Sequence, residues 1–204
     1  MPRAAAPATL AVPPAIRARE AARTAVLTET LGQLYPEPTA VVFEIGCGHG
    51  HFLAALAAAN PTANYLGVDV VKKRIERAQR KRRRMNLANL AFLHADATQT
   101  LAALPARVRL AGVFVLFPDP WPKNRHFARR VLQPAMLDAL AERAQSGAWL
   151  ALRTDHAGYL DWARAQIEKH PAWKLAPELP WPFEHPTYFQ ELKGPHQSLM
   201  AVRR

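Results

Sequence analysis

Cysteine is nearly absent from this 204-residue chain, which has Cys47 alone. A single thiol excludes internal disulfides and cysteine-rich zinc sites, and we expect no metal centre. Long apolar runs are also missing, since nothing approaches the roughly 18 consecutive apolar residues that span a bilayer. Residues 1–14 are rich in alanine and proline but lack the leucine-rich core of a signal peptide. We therefore expect a cytoplasmic protein without a membrane partner.

Acidic residues are scarce relative to basic ones. The chain carries 27 Lys and Arg against 16 Asp and Glu, which gives a formal net charge of +11 at pH 7. Such an excess favours a polyanionic partner, with nucleic acid ahead of an anionic membrane surface. Half of the residues are hydrophobic, enough for one globular core at this length. We expect an N-terminal arm and helix over residues 1–38 and one folded domain over residues 39–204.

Short apolar runs alternate with helical patterns along the chain. The runs suit buried parallel strands, and the segments between them have the spacing of amphipathic helices. This alternation predicts an α/β fold of the Rossmann-like, doubly wound type, with a mostly parallel sheet and helices on both faces. The predicted strands are 40–45, 64–70, 90–94, 112–116, 148–152, 173–175 and 198–202, and the predicted helices are 15–34, 53–59, 72–86, 98–104, 129–143 and 159–169.

A glycine-rich turn, GCGHG at 46–50, follows the first strand. Gly46 and Gly48 let the backbone approach a ligand closely, and the next helix points N–H groups at that ligand. The spacing is one residue short of the dinucleotide fingerprint GxGxxG, which argues against a nicotinamide dehydrogenase. Glu44 precedes the turn, and its carboxylate suits the ammonium group of S-adenosylmethionine better than a pyrophosphate.

Aspartates follow other strands at the edge where doubly wound sheets bind ligands. Asp69 lies about 20 positions after the glycine turn, where an acid binds ribose hydroxyls. Asp96 can accept a hydrogen bond from the amino group of an adenine, or it can cap the next helix. Asp155 follows the fifth strand and has the same capping alternative. The pattern is typical of a methyltransferase that uses S-adenosylmethionine.

A proline-rich loop, FPDPWPKNRH at 117–126, follows the fourth strand. Proline lacks an N–H and fixes φ, so this segment continues neither as a helix nor as a strand. The loop combines the carboxylate of Asp119, the flat face of Trp121 and a basic cluster, including Lys123, that suits phosphates. The alternative interpretation is a stiffened surface loop around a buried tryptophan.

The predicted helix at 72–86 is strongly basic over residues 72–84. It carries nine Lys and Arg residues against Glu76 alone, which is too many for i,i+4 pairs to neutralise. A solvated helix face is the alternative interpretation. With the net charge of the whole chain, however, the density favours contact with an RNA backbone.

Four segments resemble the bacterial tRNA (guanine-N7)-methyltransferase family: EIGCGHG at 44–50, GVDV at 67–70, HADA at 94–97 and FPDPWPKNRH at 117–126. The resemblance implies a class I methyltransferase that moves a methyl group from S-adenosylmethionine to N7 of guanosine 46 in the tRNA variable loop. Together with the basic charge, it predicts a tRNA partner bound by the helix at 72–84 and the loop at 121–130. Together with the turn glycines, the expected cofactor-binding residues are Glu44, Gly46, Gly48, Asp69, Asp96 and Asp119. Asp119 is the expected catalytic residue, and the expected substrate-binding residues are Lys123, Asp155, Thr187 and Gln190.

One segment departs from the family pattern. This chain has TYFQELK at 187–193, so Gln190 stands where the family has a glutamate, and the basic residue is displaced to Lys193. Two other functions stay open: a different RNA or DNA base methyltransferase, and a noncatalytic RNA-binding protein that keeps the fold. Methyltransferases of exocyclic amines often have two adjacent prolines after the fourth strand, whereas the prolines here are separated.

Overall fold

The protein, described here from a computed structural model, is built around one seven-stranded sheet in the order β3-β2-β1-β4-β5-β7-β6. The structure describes residues 13–185 and 195–204. The strands are β1 (Thr39–Ile45), β2 (Asn64–Asp69), β3 (Leu90–His94), β4 (Val108–Leu116), β5 (Ala144–Thr154), β6 (Trp173–Leu175) and β7 (Gln197–Arg203). The helices are α1 (Pro14–Leu34), α2 (His51–Ala59), α3 (Lys72–Arg84), α4 (Ala97–Ala103), α5 (Pro134–Arg143) and α6 (Ala157–Lys169), with a 3-10 helix at Asn124–Arg129.

The sheet is parallel from β3 across to β5, and β7 runs antiparallel to both β5 and β6. Parallel neighbours are joined by helical crossovers, so the carboxyl ends of β1 to β5 meet at one edge. The predicted α/β, doubly wound, mostly parallel fold is confirmed.

Side chains alternate between the two faces of the sheet, as a period of two requires. Val113 and Val115 of β4 pack with α1, α4, α5 and α6 on one face, whereas Phe114 packs with α2 and α3 on the other. Phe114 meets the rings of Phe52 and Trp149 edge-on, with centroid distances of 4.8 and 4.6 Å. Helices therefore cover both faces, and the strand ends are left to form a ligand edge.

The predicted helix at 129–143 is wrong in its first turn. A 3-10 helix covers Asn124–Arg129, an irregular stretch follows, and α5 begins only at Pro134. Proline disfavours the helical conformation of the residue before it but is well suited to the first helical position, so Pro134 sets the start. The other predicted helices and strands agree with the structure within four residues at each end.

In the part of the chain that the structure describes, no helix is long and apolar enough to cross a membrane. The same residues contain no cluster of three or more His, Cys, Asp or Glu side chains that could hold a metal ion.

Candidate active site

The glycine turn after β1 opens a space beside the backbone. The N–H groups of Gly46 and Cys47 both donate to Val68 O at 2.9 Å, which ties the turn to β2. Gly46 and Gly48 have φ of +74° and +55°, and a Cβ at either would meet nothing within 4 Å. Gly50 serves packing instead, because a Cβ there would lie 2.4 Å from the ring of Phe92. Two glycines therefore border a cavity, and the third lets α2 approach the sheet.

Glu44 is a buried carboxylate on the wall of that cavity, with 3% of its surface exposed. Burial, and secondly the nearby Asp69, raises the pKa of Glu44 to about 8. Its Oε2 atom accepts no hydrogen bond from any residue within 13–185 and 195–204. Because a buried carboxylate oxygen without a donor is costly, this atom fits a cationic donor such as an ammonium group.

Asp69, at the end of β2, is held rigidly by the surrounding backbone. Oδ2 accepts from Gly48 N at 3.0 Å, Oδ1 accepts from Val71 N at 2.8 Å, and Arg74 Nη1 lies 3.5 Å from Oδ2. Each carboxylate oxygen has two acceptor positions, so a ribose hydroxyl can still be bound. The same contacts fix the glycine turn against β2.

Asp96 follows β3 and caps α4, as one of the two sequence interpretations predicts. Its Oδ1 accepts from Thr98 N at 2.8 Å and Gln99 N at 3.2 Å. The cap fixes the direction of the carboxylate. Asp96 also lines the cavity, so the capping role and the predicted adenine contact are compatible.

The proline loop after β4 has a strained backbone at two points. Phe117 and Trp121 have φ of +48° and +42°, values uncommon for residues with a side chain. Phe117 N donates to Arg153 O at 2.7 Å, which joins the start of the loop to β5. Arg129 lies over the ring of Trp121, with its guanidinium carbon 4.8 Å from the ring centroid. One face of the indole is thus already covered by a cation.

The glycine turn and the proline loop face one cavity of about 750 Å³ at the carboxyl edge of the sheet. Among the predicted site residues, it is lined by Glu44, Gly46, Gly48, Asp69, Asp96 and Asp119. Lys123 and Asp155 are exposed and do not line it. Asp155 does not cap α6 either, since His156 Nδ1 accepts from Tyr159 N at 3.1 Å. Thr187 and Gln190 lie outside the described residues.

Two cations of α3 reach back to the glycine turn. Lys81 Nζ donates to His49 O at 3.3 Å, and Arg77 Nη1 lies 3.4 Å from His49 Nε2. Burial, and secondly the charge of Arg84, lowers the pKa of Lys81 to about 8. The basic helix and the glycine turn are therefore one connected unit.

An ion pair that the sequence does not reveal lies beside the proline loop. Arg153, buried at the end of β5, binds both carboxylate oxygens of Glu184 at 2.8 and 3.0 Å. It also stacks on Trp181, with its guanidinium carbon 4.0 Å from the ring centroid. These hydrogen bonds lower the pKa of Glu184. The partners are 31 positions apart, and no short-range spacing signals such a contact.

The strand order, the reversed last strand pairing and the acid-lined cavity at the carboxyl edge define a class I methyltransferase. The 16S rRNA methyltransferase KamB has this fold, with a TM-score of 0.58 at 21% identity over 86% of this chain and 92% of KamB. A family model described as "Putative methyltransferase" matches residues 38–192.

The chain belongs to the tRNA (guanine-N7)-methyltransferase family. It is 38% identical over 186 residues to the Synechococcus sp. enzyme of that name, covering 84% of this chain and 78% of the relative. It is 41% identical over 146 residues to the Magnetococcus marinus enzyme of the same name, covering 72% and 57%. The match spans 61% of the Treponema pallidum enzyme, so this chain corresponds to about three fifths of some relatives. The resemblance carried by the proline loop and the glycine turn is confirmed.

Proposed function

We propose that this protein transfers a methyl group from S-adenosylmethionine to N7 of guanosine 46 in the variable loop of tRNA. The observation that carries the proposal is the single cavity in which the unpaired Oε2 of Glu44 and the carboxylate of Asp119 occur together. Membership of the tRNA (guanine-N7)-methyltransferase family supports the choice of guanine N7. A bacterial tRNA substrate also implies a cytoplasmic location.

The cavity residues fit the parts of S-adenosylmethionine. Glu44 holds the ammonium group, Asp69 the ribose hydroxyls and Asp96 the amino group of the adenine. Gly46 and Gly48 leave room for the ligand, because their missing side chains would point into open space. When bound, S-adenosylmethionine would supply a methyl group on its sulfonium sulfur, which a nucleophile can attack.

Asp119 is the residue we assign to the target base. Guanine N7 carries an in-plane lone pair and no proton, so the reaction requires no general base. Asp119 accepts hydrogen bonds from the N1–H and N2–H groups of guanine, which orients N7 and stabilises the positive charge that develops on the purine. The rate then comes from positioning and electrostatics. Lys123 and Asp155, outside the cavity, are assigned to more distant parts of the substrate.

The tRNA partner is bound by the basic face of α3 and by the loop at 121–130. Arg80, Arg83 and Arg84 of α3 are exposed, whereas Ile75 and Ala78 anchor the opposite side of the helix in the core. Such a face neutralises phosphates without reading sequence. Because α3 contacts the glycine turn, RNA on this face lies close to the cavity.

The proposal is tested with the full chain, S-adenosylmethionine and an unmodified tRNA transcript, with the product mapped by nucleoside mass spectrometry. We expect 7-methylguanosine at position 46 and none in a transcript that carries adenosine there. Asp119→Ala and the isosteric Asp119→Asn are expected to abolish most turnover while changing the Kd for S-adenosylhomocysteine little. Asp161→Asn, an exposed substitution on α6, is the matched control. Methylation of another atom, or tRNA binding without methylation, would contradict the proposal.

A further inference from the structure

Arg130 is a buried arginine whose charged group has no carboxylate contact among the described residues. Only 3% of the residue is exposed. Its Nε donates to Pro120 O at 2.9 Å and its Nη2 to Trp121 O at 3.5 Å. The acceptors are thus the carbonyls of the two residues that directly follow Asp119 in the proline loop.

Aromatic rings hold the guanidinium in place. Its central carbon lies 3.7 Å from the ring centroid of Phe127, 5.0 Å from that of Trp162 and 5.4 Å from that of Tyr159. A planar, weakly hydrated guanidinium is suited to such a stack, and its fork can bind two carbonyls at once. Lysine has neither the plane nor the fixed fork. The site is therefore built for arginine in particular and not for positive charge in general.

The proline loop has little else to fix its backbone. Within the described residues, no backbone–backbone hydrogen bond involves residues 118–122, and the three prolines in this stretch have no N–H to donate. Trp121 is nevertheless held at a φ of +42°, a conformation that costs free energy without support from its surroundings. The two Arg130 hydrogen bonds supply such support at the residues directly after Asp119.

We propose that Arg130 is the positioning residue for Asp119: by binding the carbonyls of Pro120 and Trp121, it holds the loop in the conformation that presents the Asp119 carboxylate to the target base. This inference rests on the proposed function and names a further residue of that same site. Arg130 also lines the cavity, but the role we propose for it is to hold the loop and not to bind the methyl donor or the base. Loss of Arg130 is therefore expected to slow the methyl-transfer step, which requires Asp119 to be in place.

Arg130→Lys is the decisive substitution. Because displacing a reacting group by about 1 Å can reduce a rate about a hundredfold, we expect kcat for tRNA methylation to fall at least about tenfold. The glycine turn is untouched, so the Kd for S-adenosylhomocysteine is expected to stay within about threefold of wild type. Lysine keeps the positive charge and residue 130 is buried, so the KM for tRNA is expected to change less than kcat. The control is Arg107→Lys, since Arg107 also binds two backbone carbonyls, those of Tyr35 and Gly32, but far from the cavity.

Phe127→Leu provides a second variant if Arg130→Lys does not fold. It removes the closest stacking partner while keeping the guanidinium, and we expect a smaller loss of kcat with the same unchanged Kd. Wild-type kcat in the folded variants, or a loss of cofactor affinity in parallel with kcat, would overturn the role of Arg130. A wild-type protein that makes no 7-methylguanosine would instead contradict the proposed function, so the two failures are distinguishable.

Discussion

Among single residues, Glu44 shows how a residue proposed to bind a ligand can lower the stability of the free protein. Its ordinary pKa is 4.5, and in the folded chain burial raises the pKa to about 8. Between these values the folded chain holds a proton that the unfolded chain has released. The free energy of unfolding therefore falls as the pH rises from about 4.5 to about 8, and it stays low above that range.

Glu44→Gln tests this balance. The amide resembles the protonated carboxyl group, so we expect the variant to have a higher Tm than wild type, with a larger difference at pH 9 than at pH 6. A chain of this size gains about 2–4 °C in Tm for each kcal/mol of stability. The same variant is expected to lose most of its affinity for S-adenosylhomocysteine, because it cannot offer a carboxylate to the ammonium group. Calorimetry at both pH values measures Tm and binding; an equal Tm at pH 9 would contradict the assignment.

The meeting of Glu44, Asp69 and Asp96 at one cavity can be predicted from sequence, because each lies at or just after the carboxyl end of a recognisable strand and the fold brings strand ends together. The contacts of Arg130 and Arg153 cannot be predicted in this way. Their partners are backbone carbonyls or a carboxylate far along the chain, and the contacts depend on how the loops pack. Sequence patterns locate groups that a regular element positions, and they miss groups that position an irregular loop.

At the scale of elements, α3 combines a side buried through Ile75 and Ala78 with the basic face proposed to bind tRNA. Its cations are not equivalent. Arg74 pairs with Asp69, and Arg82 donates to Leu87 O at 3.0 Å and so supports the end of the helix. By contrast, Arg80, Arg83 and Arg84 are exposed. Substitutions at these three positions therefore test RNA binding without removing a structural contact.

Reversing the charge at Arg80, Arg83 and Arg84 together is expected to weaken tRNA binding and to reduce the slope of log Kd against log salt concentration. Each phosphate contact contributes about 0.9 to that slope on a duplex, so the slope is expected to fall by up to about 3. Arg164→Glu on the exposed side of α6 is the control for a charge reversal away from α3, and the single variant Arg83→Glu is compared with it at the same change in net charge. A triple variant with the affinity and salt slope of wild type would show that this helix face is solvated and does not bind tRNA.

The close pairing of β4 with β5 depends on a residue without a side chain. A Cβ at Gly112 would lie 2.2 Å from the ring of Trp149, its register partner. We expect Gly112→Ala to lower the free energy of unfolding by about 1–3 kcal/mol, the usual cost of overpacking a core. Gly32→Ala in α1 meets nothing within 4 Å, and we expect it to stabilise the protein by roughly 0.5–1 kcal/mol. Urea unfolding compares the two, and a Gly112→Ala variant as stable as Gly32→Ala would contradict this packing account.

For the whole molecule, the alternation of strands and helices was sufficient to predict the doubly wound sheet. It could not give the place of β7 between β5 and β6, because antiparallel pairing at the end of a sheet leaves no mark in a short apolar run. The alternation also could not give the start of α5. The apolar spacing suggested a helix from residue 129, whereas Pro134 favours a helix that begins at that proline. The sequence therefore predicted the elements whose local pattern matches their place in the fold, and it missed features that only the packing of distant segments decides.

The contacts that His49 makes with Lys81 and Arg77 have a consequence for how the two substrates are handled. On the proposed function, a tRNA phosphate that draws these cations away from the turn would change the backbone expected to bind the methyl donor. By thermodynamic reciprocity, the factor by which tRNA changes the affinity for the donor must equal the factor by which the donor changes the affinity for tRNA. If tRNA and S-adenosylmethionine bind as proposed, the contacts of His49 with α3 would therefore make the binding of each depend on the other.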